Sequence, residues 1–530
     1  MAWPTSLGVI GATRYHQGVA WITVGCCVAA CVPSGLRWLR VAQREHYLPG
    51  SVSRFAARWW RLTPVNLILA VAALAAAGAS VGWPIAGVVV AAVVAVGPIG
   101  LSLRGRTSSL AWTRRLRVLA AVWAALEVVL VIIGVALGLA APLAMLAAVV
   151  VPMAVDLACA ITSPLERRLS EHFVREATER LRRVDPTVVA VTGSYGKTST
   201  KGHIAHLVRP ARTVVATPAS FNNRAGLARA VNEHLADGTE VFVAEMGTYG
   251  PGEIAELCRW CPPDVAVITA IGPVHLERFG SEDRIADAKS EIMERADDVV
   301  LVVDDARLAV LAKRAAADGK RVVRCSASDR TADVCVVRSA EGSQLSAFVH
   351  GALLVADVAV PPGVQPTNVA CAIAVALVLK VDATAIGERL ADLPPVDHRL
   401  QEMVSETGVT IVDDTYNANP AGAAAALGVL ADLVDVPRSA VVTPGMVELG
   451  TRQFEENRAF AAAAAAVASD LVIVGRTNRR ALEAGAASVG ASGAAVTLVP
   501  DRDRAVEWVR RHLDPGDAVL YENDLPDHYP

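Results

Sequence analysis

The stretch TVVAVTGSYGKTSTK, residues 187–201, decides how the rest of the chain is read. Val188, Val189 and Val191 form a β-branched apolar run of the kind that makes a buried strand. Gly193-Ser194-Tyr195-Gly196 follows as a glycine turn, and Lys197-Thr198-Ser199 opens a helix predicted to run through Val208. Strand, glycine loop and helix N-terminus together make a phosphate cradle. Its backbone N–H groups close on anionic oxygens, and the helix end adds partial positive charge. Lys197 would reach the terminal phosphates of ATP, and the Thr198 hydroxyl would ligate its magnesium. The strict pattern G-x-x-x-x-G-K-[ST] fails at its first position, where Val191 stands. What remains is T-G-x-x-G-K-T, whose place after a strand ending in glycine favours nucleotide binding over a chance G-K-T.

Outward from this loop, the chain divides by composition. Its 530 residues suit about three domains. The net charge is only −3, which gives no reason to expect nucleic acid. Hydrophobic residues make up 53% and aromatics only 5%, with a mean hydropathy of +0.39, so part of the chain is expected in lipid. Nine cysteines are scattered, and Cys258 and Cys261 have metal-like spacing with no second pair to complete a site. They read as reduced, structural thiols.

Residues 1–163 hold the apolar share. Five stretches approach the ~20 residues of a spanning helix: Gly18–Leu36, Val65–Val81, Pro84–Leu103, Val118–Ala140 and Pro142–Ile161. Basic residues gather at Arg37–Arg61, at Arg104–Arg117 and at Arg167-Arg168, whereas the joins at Gly82-Trp83-Pro84 and Ala140-Ala141-Pro142 carry no charge. About five spans with the N-terminus outside would put every basic loop, and the phosphate loop, in the cytoplasm. The expected location is a multi-pass cell membrane protein. Glu127 and Asp156 fall within these stretches and are expected to meet partners inside the bundle.

A charged helical tether, residues 164–186, leads to two series of apolar strands alternating with helical stretches. The pattern predicts parallel sheets with helices on both faces. A break at Leu393-Pro394-Pro395 separates a central domain, 187–393, from a C-terminal one, 394–530. The fold class is thus an α-helical membrane bundle followed by α/β, with a P-loop-type central domain and a Rossmann-like C-terminal domain.

Nine motifs in order carry a family resemblance. They are TGSYGKTST (192–200), FNNRAGL (221–227), AEMGTYGPGEI (244–254), ITAIGPVHLERFGS (268–281), AKSEI (288–292), NVACA (368–372), HRLQ (398–401), DDTYNANP (413–420) and GMVELG (445–450). From about Val188 to about Gly516 the chain resembles the Mur ligases, most closely the MurF branch, which adds D-alanyl-D-alanine to a muramyl peptide. The resemblance implies an ATP-dependent acid–amino-acid ligase of cell-wall (peptidoglycan) construction. A carboxylate is activated as an acyl phosphate, and an amine then attacks it. Such chemistry asks mainly for positioning and charge neutralisation.

The resemblance assigns roles residue by residue. Gly193, Ser194, Tyr195, Gly196, Lys197, Thr198 and Ser199 match the ATP loop, with Asn368 near the adenine. Arg399 matches a phosphate contact, and Asp414 and Asn417 belong to a segment that closes over the nucleotide. Thr198, Glu245 and His275 match magnesium ligands. Lys289 matches a lysine whose carbamoylated form is a further ligand, and Asn222 and Asn223 lie near the activated acceptor. Taken alone, Lys289 is a solvated lysine, His275 a structural histidine and each asparagine a turn or cap. Two departures bear on the substrates. Membrane-type stretches stand where the family grips UDP, and YENDLPDHYP (521–530) stands where MurF ligases usually carry K-G-S-R. The acceptor is therefore expected to be a cell-wall intermediate, UDP-linked or lipid-linked, and the amine an amino acid or dipeptide. Alternatives are a ligase for another polymer, as in the folylpolyglutamate and cyanophycin relatives, a transport ATPase, and a binding protein with a decayed site.

Overall fold

A computed structural model describes residues 6–80, 83–103, 110–339, 342–361, 363–394, 401–415, 419–433, 435–525 and 528–529. The chain divides into two compact units, Met1–Leu169 with Pro526–Pro530, and Ser170–Leu525.

The first unit is helical: α1 (Ser6–Arg44), α2 (Ser51–Leu62), α3 (Pro64–Ala79), α4 (Gly87–Val96), α5 (Arg114–Ala136) and α6 (Ala140–Val184), the last running on beyond the unit boundary. Among the described residues three helices are long and apolar enough to cross a membrane: Gly18–Arg44, Arg114–Ala136 and Ala140–Glu166. A fourth arises only if α2 and α3, bent by 102°, count as one. Composition gave about five apolar stretches, against three or four helices of spanning length among the described residues. The stretch Pro84–Leu103 is apolar throughout, but α4 occupies only 10 of its residues. Gly97 turns extended, and Pro98 can neither donate the next helical hydrogen bond nor fit beneath the preceding turn.

Instead α3 and α4 form a hairpin pinned at its base. The buried Asn66 side chain donates to Ile99 O (3.2 Å) and accepts from Ile99 N (2.8 Å), so the start of α3 meets the chain leaving α4. Arg37 donates to Ala95 O (2.7 Å) and Gly97 O (3.1 Å), satisfying carbonyls at the end of α4. Both acidic residues find partners, as expected. Glu127 accepts from Trp123 Nε1 at 3.1 Å, and Asp156 accepts from the Val52 and Ser53 backbone N–H groups at the start of α2. Ile68, Val71 and Leu74 on α3 and Val128, Val129 and Ile132 on α5 are exposed, an apolar surface suited to lipid. The terminal residues pack here too. His528 is buried against Glu45 (2.9 Å), its carbonyl accepts from Trp59 Nε1 (2.8 Å), and Tyr529 meets the Phe55 ring edge-on.

The second unit contains two sheets. In the first, β1 (Thr187–Thr192), β2 (Val214–Ala216), β3 (Val241–Glu245), β4 (Val265–Ile268), β5 (Asp298–Val302), β6 (Arg321–Ser326), β7 (Val334–Arg338), β8 (Gln344–Val349) and β9 (Ala352–Ala359) lie in the order 2-3-1-4-5-6-7-8-9. Strands β2 to β7 pair in parallel, and β7-β8-β9 is an antiparallel ribbon. In the second, β10 (Gln401–Val404), β11 (Thr410–Asp414), β12 (Ser439–Thr443), β13 (Asp470–Val474), β14 (Ala495–Val499) and β15 (Ala518–Glu522) lie in the order 10-11-15-12-13-14. All its pairs except β10–β11 are parallel. The inner strands β1, β3, β4, β5, β12, β13 and β15 are mostly buried runs rich in Val, Ile, Leu and Ala, as two-sided coverage by helices requires. Such sheets place ligands at the C-terminal strand ends. Strand β1, central to its sheet, delivers residues 193–196 there. All nine cysteines are free thiols, and burial pushes Cys258 up to about 12, far from the reactive range.

Candidate active site

Strand β1 ends at Thr192, and α7 (Lys197–Val208) begins four residues after Gly193. The turn between them needs its glycines. Gly193 has φ +154° and Gly196 φ +76°, and a Cβ on Gly196 would stand 2.2 Å from Asn368 Oδ1. Asn368, in the first turn of the helix Pro366–Val378, is thereby brought against the phosphate loop. The loop is also pinned to the end of β4. Ser194 N donates to Ala270 O (2.8 Å), Ser194 Oγ accepts from Gly272 N (3.0 Å), and Thr269 bonds the Tyr195 carbonyl. Lys197 folds back over the turn, with Nζ 2.7 Å from Gly193 O, and Thr198 and Ser199 lie in the first turn of α7.

Glu245, the last residue of β3 and 1% exposed, is the hub of the site. Its Oε2 accepts from Thr198 Oγ1 (2.9 Å) and from Lys201 Nζ (3.0 Å), and its Oε1 accepts from Asn222 Nδ2 (3.0 Å). Lys201 also donates to Ala219 O (2.6 Å). These hard oxygen donors suit magnesium, and a cation, the Lys201 ammonium, already balances the carboxylate. Lys201 closes the opening stretch of sequence, yet its type alone marks no role there. Asn223, by contrast, is the N-cap of α8 (Arg224–His234), accepting from Gly226 N at 3.0 Å.

Lys289, on the helix Glu282–Ser290, is buried. Burial first, and then the nearby Lys197 charge, hold its ammonium well below the ordinary lysine range. It is thus a buried amine within range of the Lys197 charge, the opposite of a solvated lysine. His275 sits in left-handed conformation (φ +60°) before the helix Leu276–Phe279. Its Nδ1 bonds Glu448 Oε2, and the Tyr249 ring lies edge-on at 5.0 Å. Burial would raise the Glu448 carboxyl, but the His275 hydrogen bond and charge, with the Arg278 guanidinium, outweigh it and bring it to about 2.

The structure therefore gathers Gly193, Ser194, Tyr195, Gly196, Lys197, Thr198, Asn222, Glu245, Asn368 and Lys289 about one strand edge. His275 is paired instead with Glu448. Among the described residues no group of three or more His, Cys, Asp and Glu side chains is arranged to hold a metal. Asp414 ends β11, buried, beside Glu522 in the register of β15. Arg399 and Asn417 lie outside the described residues.

Residues 191–376 match the Mur ligase middle domain, and residues 398–521 match the Mur ligase, glutamate ligase domain. The UDP-N-acetylmuramoyl-tripeptide--D-alanyl-D-alanine ligase of Mycobacterium tuberculosis (strain ATCC 25618 / H37Rv) is 35% identical over 360 residues, covering 63% of this chain and 69% of that protein. The chain belongs to the Mur ligase family. It is an ATP-dependent ligase, so the transport motor and the decayed binding protein are set aside. The enzyme of the same name from Bacillus subtilis (strain 168) is 31% identical over 273 residues, 51% of this chain and 58% of that one. Among solved structures, the MurF ligase of Thermotoga maritima in complex with ADP superposes with a TM-score of 0.55 at 28% identity, covering 67% of this chain and 80% of that one. The Mur ligase domain matches begin at residue 191, after the helical unit.

Proposed function

We propose that this Mur ligase is anchored in the cell membrane and joins an amino acid or a dipeptide such as D-alanyl-D-alanine to the carboxylate of a muramyl peptide, with its catalytic domains in the cytoplasm. What carries the reading is Glu245, joined at once to the phosphate-loop Thr198, to Lys201 and to the acceptor-side Asn222.

An acceptor carboxylate oxygen attacks the γ-phosphorus of ATP, ADP departs, and an acyl phosphate forms. The amine nitrogen then attacks the acyl carbon, phosphate leaves, and the nitrogen loses a proton as the amide forms. Lys197 and the α7 N-terminus stabilise charge on the transferring phosphoryl group, and Asn222 orients the acceptor. Thr198 and Glu245 would hold one magnesium, with His275 and carbamoylated Lys289 at a second. When bound, magnesium neutralises the phosphate oxygens. A neutral Lys289 amine is the form that captures CO2, giving a carbamate and releasing one proton. Asn223 serves as a cap that sets the Asn222 loop. Asn368, Arg399, Asp414 and Asn417 remain proposed nucleotide contacts by resemblance.

Three spans with a re-entrant α3–α4 hairpin fit the charge pattern as well as five did, because a hairpin pinned at Asn66 and Ile99 returns the chain to the side it left. The arginines before α3 and those before α5 then share one face, the cytoplasmic one. The helical unit stands where relatives grip UDP, which favours a lipid-linked acceptor held at the membrane surface. Purified full-length protein, offered UDP-linked and lipid-linked muramyl peptides side by side with candidate amines, tests this. Amide formed from the lipid-linked acceptor supports it. Product from the UDP-linked acceptor alone refutes it.

A further inference from the structure

The motif GMVELG supplies a residue that no comparison assigns. Its loop follows β12 and is held by three asparagines of the C-terminal domain. Asn457 accepts from Met446 N (2.7 Å) and donates to Met446 O (2.9 Å), Asn478 donates to Pro444 O (3.0 Å), and Asn523 donates to Gly445 O (2.6 Å). So fixed, the loop presents Glu448 in left-handed conformation, φ +64°. A non-glycine residue held there is strained, and such strain persists where the surroundings impose it, often at functional sites. His275, its partner, is in the same region at φ +60°.

Glu448 bonds His275 Nδ1 through Oε2 and accepts from Arg278 Nη2 through Oε1 (3.2 Å). Its backbone carbonyl accepts from Glu277 N at 3.4 Å. The imidazole is thereby fixed from two directions, by Glu448 and by the Tyr249 ring, while Arg278 lies 4.9 Å over that same ring. A carboxylate accepting the Nδ1 proton leaves Nε2 as the lone-pair nitrogen and makes it a better donor, the arrangement that orients metal-binding histidines.

We propose that Glu448 is a positioning residue for the magnesium bound by His275: it sets the tautomer and ring direction so that Nε2 faces the metal. Glu448 comes from the C-terminal domain and His275 from the central one, so the contact that orients the imidazole crosses between the two domains. The proposal rests on His275 being a metal ligand, as in the function proposed above.

The test is manganese binding by the detergent-solubilised full-length protein without nucleotide, followed by the spin resonance of free Mn2+. Glu448→Gln keeps the shape and removes the acceptor charge, and it should weaken binding on the order of tenfold, the usual effect of losing an outer partner of a ligand. His275→Ala should weaken it at least as much, and the double variant should be no worse than His275→Ala alone. Arg452→Ala is the control for a merely structural role. Arg452 pairs with Glu282 across the same two domains without touching His275, and its loss should leave manganese affinity unchanged. Wild-type affinity in Glu448→Gln, with His275→Ala weakened, overturns the positioning role and spares the metal reading. Equal weakening in Arg452→Ala also overturns it, since domain contact alone would then suffice. Wild-type affinity in His275→Ala removes both.

Discussion

Lys201 offers the sharpest physical test of the hub around Glu245. The two side chains are 6% and 1% exposed and 3.0 Å apart. Lys201→Met keeps most of the stem and removes the charge, leaving Glu245 buried with only the neutral donors Thr198 and Asn222. Breaking one side of a buried pair costs about 3–5 kcal/mol, because the remaining charge keeps its desolvation penalty without its partner. In a domain of this size that corresponds to a melting shift of roughly 6–20 °C. The variant should also respond to metal. With the ammonium gone, a divalent cation can take its place at Glu245, and at a hundred times its dissociation constant it restores about 2.7 kcal/mol. Differential scanning fluorimetry of the purified full-length variant, with and without magnesium, reads both effects on the transition of the ligase unit. The wild-type protein, which already carries a cation there, should gain less from magnesium than the variant. Equal magnesium shifts in the two proteins, or an unchanged melting point in the variant, would refute the reasoning.

Gly196→Ala should weaken binding of a fluorescent ATP analogue about tenfold, since the left-handed turn costs roughly 1–2 kcal/mol for any Cβ and this one collides with Asn368. Titration with wild-type affinity would show that the loop does not hold this shape when nucleotide binds. His203, buried on α7 with Nε2 lacking a hydrogen-bond partner, is pushed down from 6.5 to about 4, first by burial and then by the His206 charge. Its folded form resists protonation while the unfolded chain accepts it. Stability is therefore fully present above about pH 6.5 and falls between there and pH 4, by at most about 3 kcal/mol. His203→Gln should flatten that part of the urea-midpoint profile, and an unaltered acid slope would exclude His203 as its source. Reporter insertions at Gly50 and within residues 104–109 should report the cytoplasm and one at Gly138 the outside; an external signal at Gly82 would reinstate the five-span topology.

The readability of this chain followed the range of the interactions. The phosphate loop was legible because strand, glycines and helix start are consecutive, and local geometry alone demands them. The parallel strands were legible as unbroken apolar runs, whereas the antiparallel pairing of β7, β8 and β9 was not. Strands β8 and β9 mix Gln344, Ser346 and Asp357 with apolar residues, and the apolar run of β7 does not by itself mark an antiparallel partner. Apolar content also does not show where a helix stops, as α4 does before Gly97-Pro98. The partners of the site were the least legible. Glu245 meets Lys201 across 44 positions and Glu448 meets His275 across 173, and no local pattern encodes either encounter.

The proposed chemistry stands or falls with the acyl phosphate that this chain would make from ATP and a carboxylate. Its most direct test uses an acceptor whose carboxylate carries heavy-oxygen label, incubated with ATP, the amine and purified full-length protein. One labelled oxygen should pass to inorganic phosphate for each amide formed, and none with Lys197→Ala. Amide formed with unlabelled phosphate, or ATP hydrolysis with no need of acceptor, would contradict it.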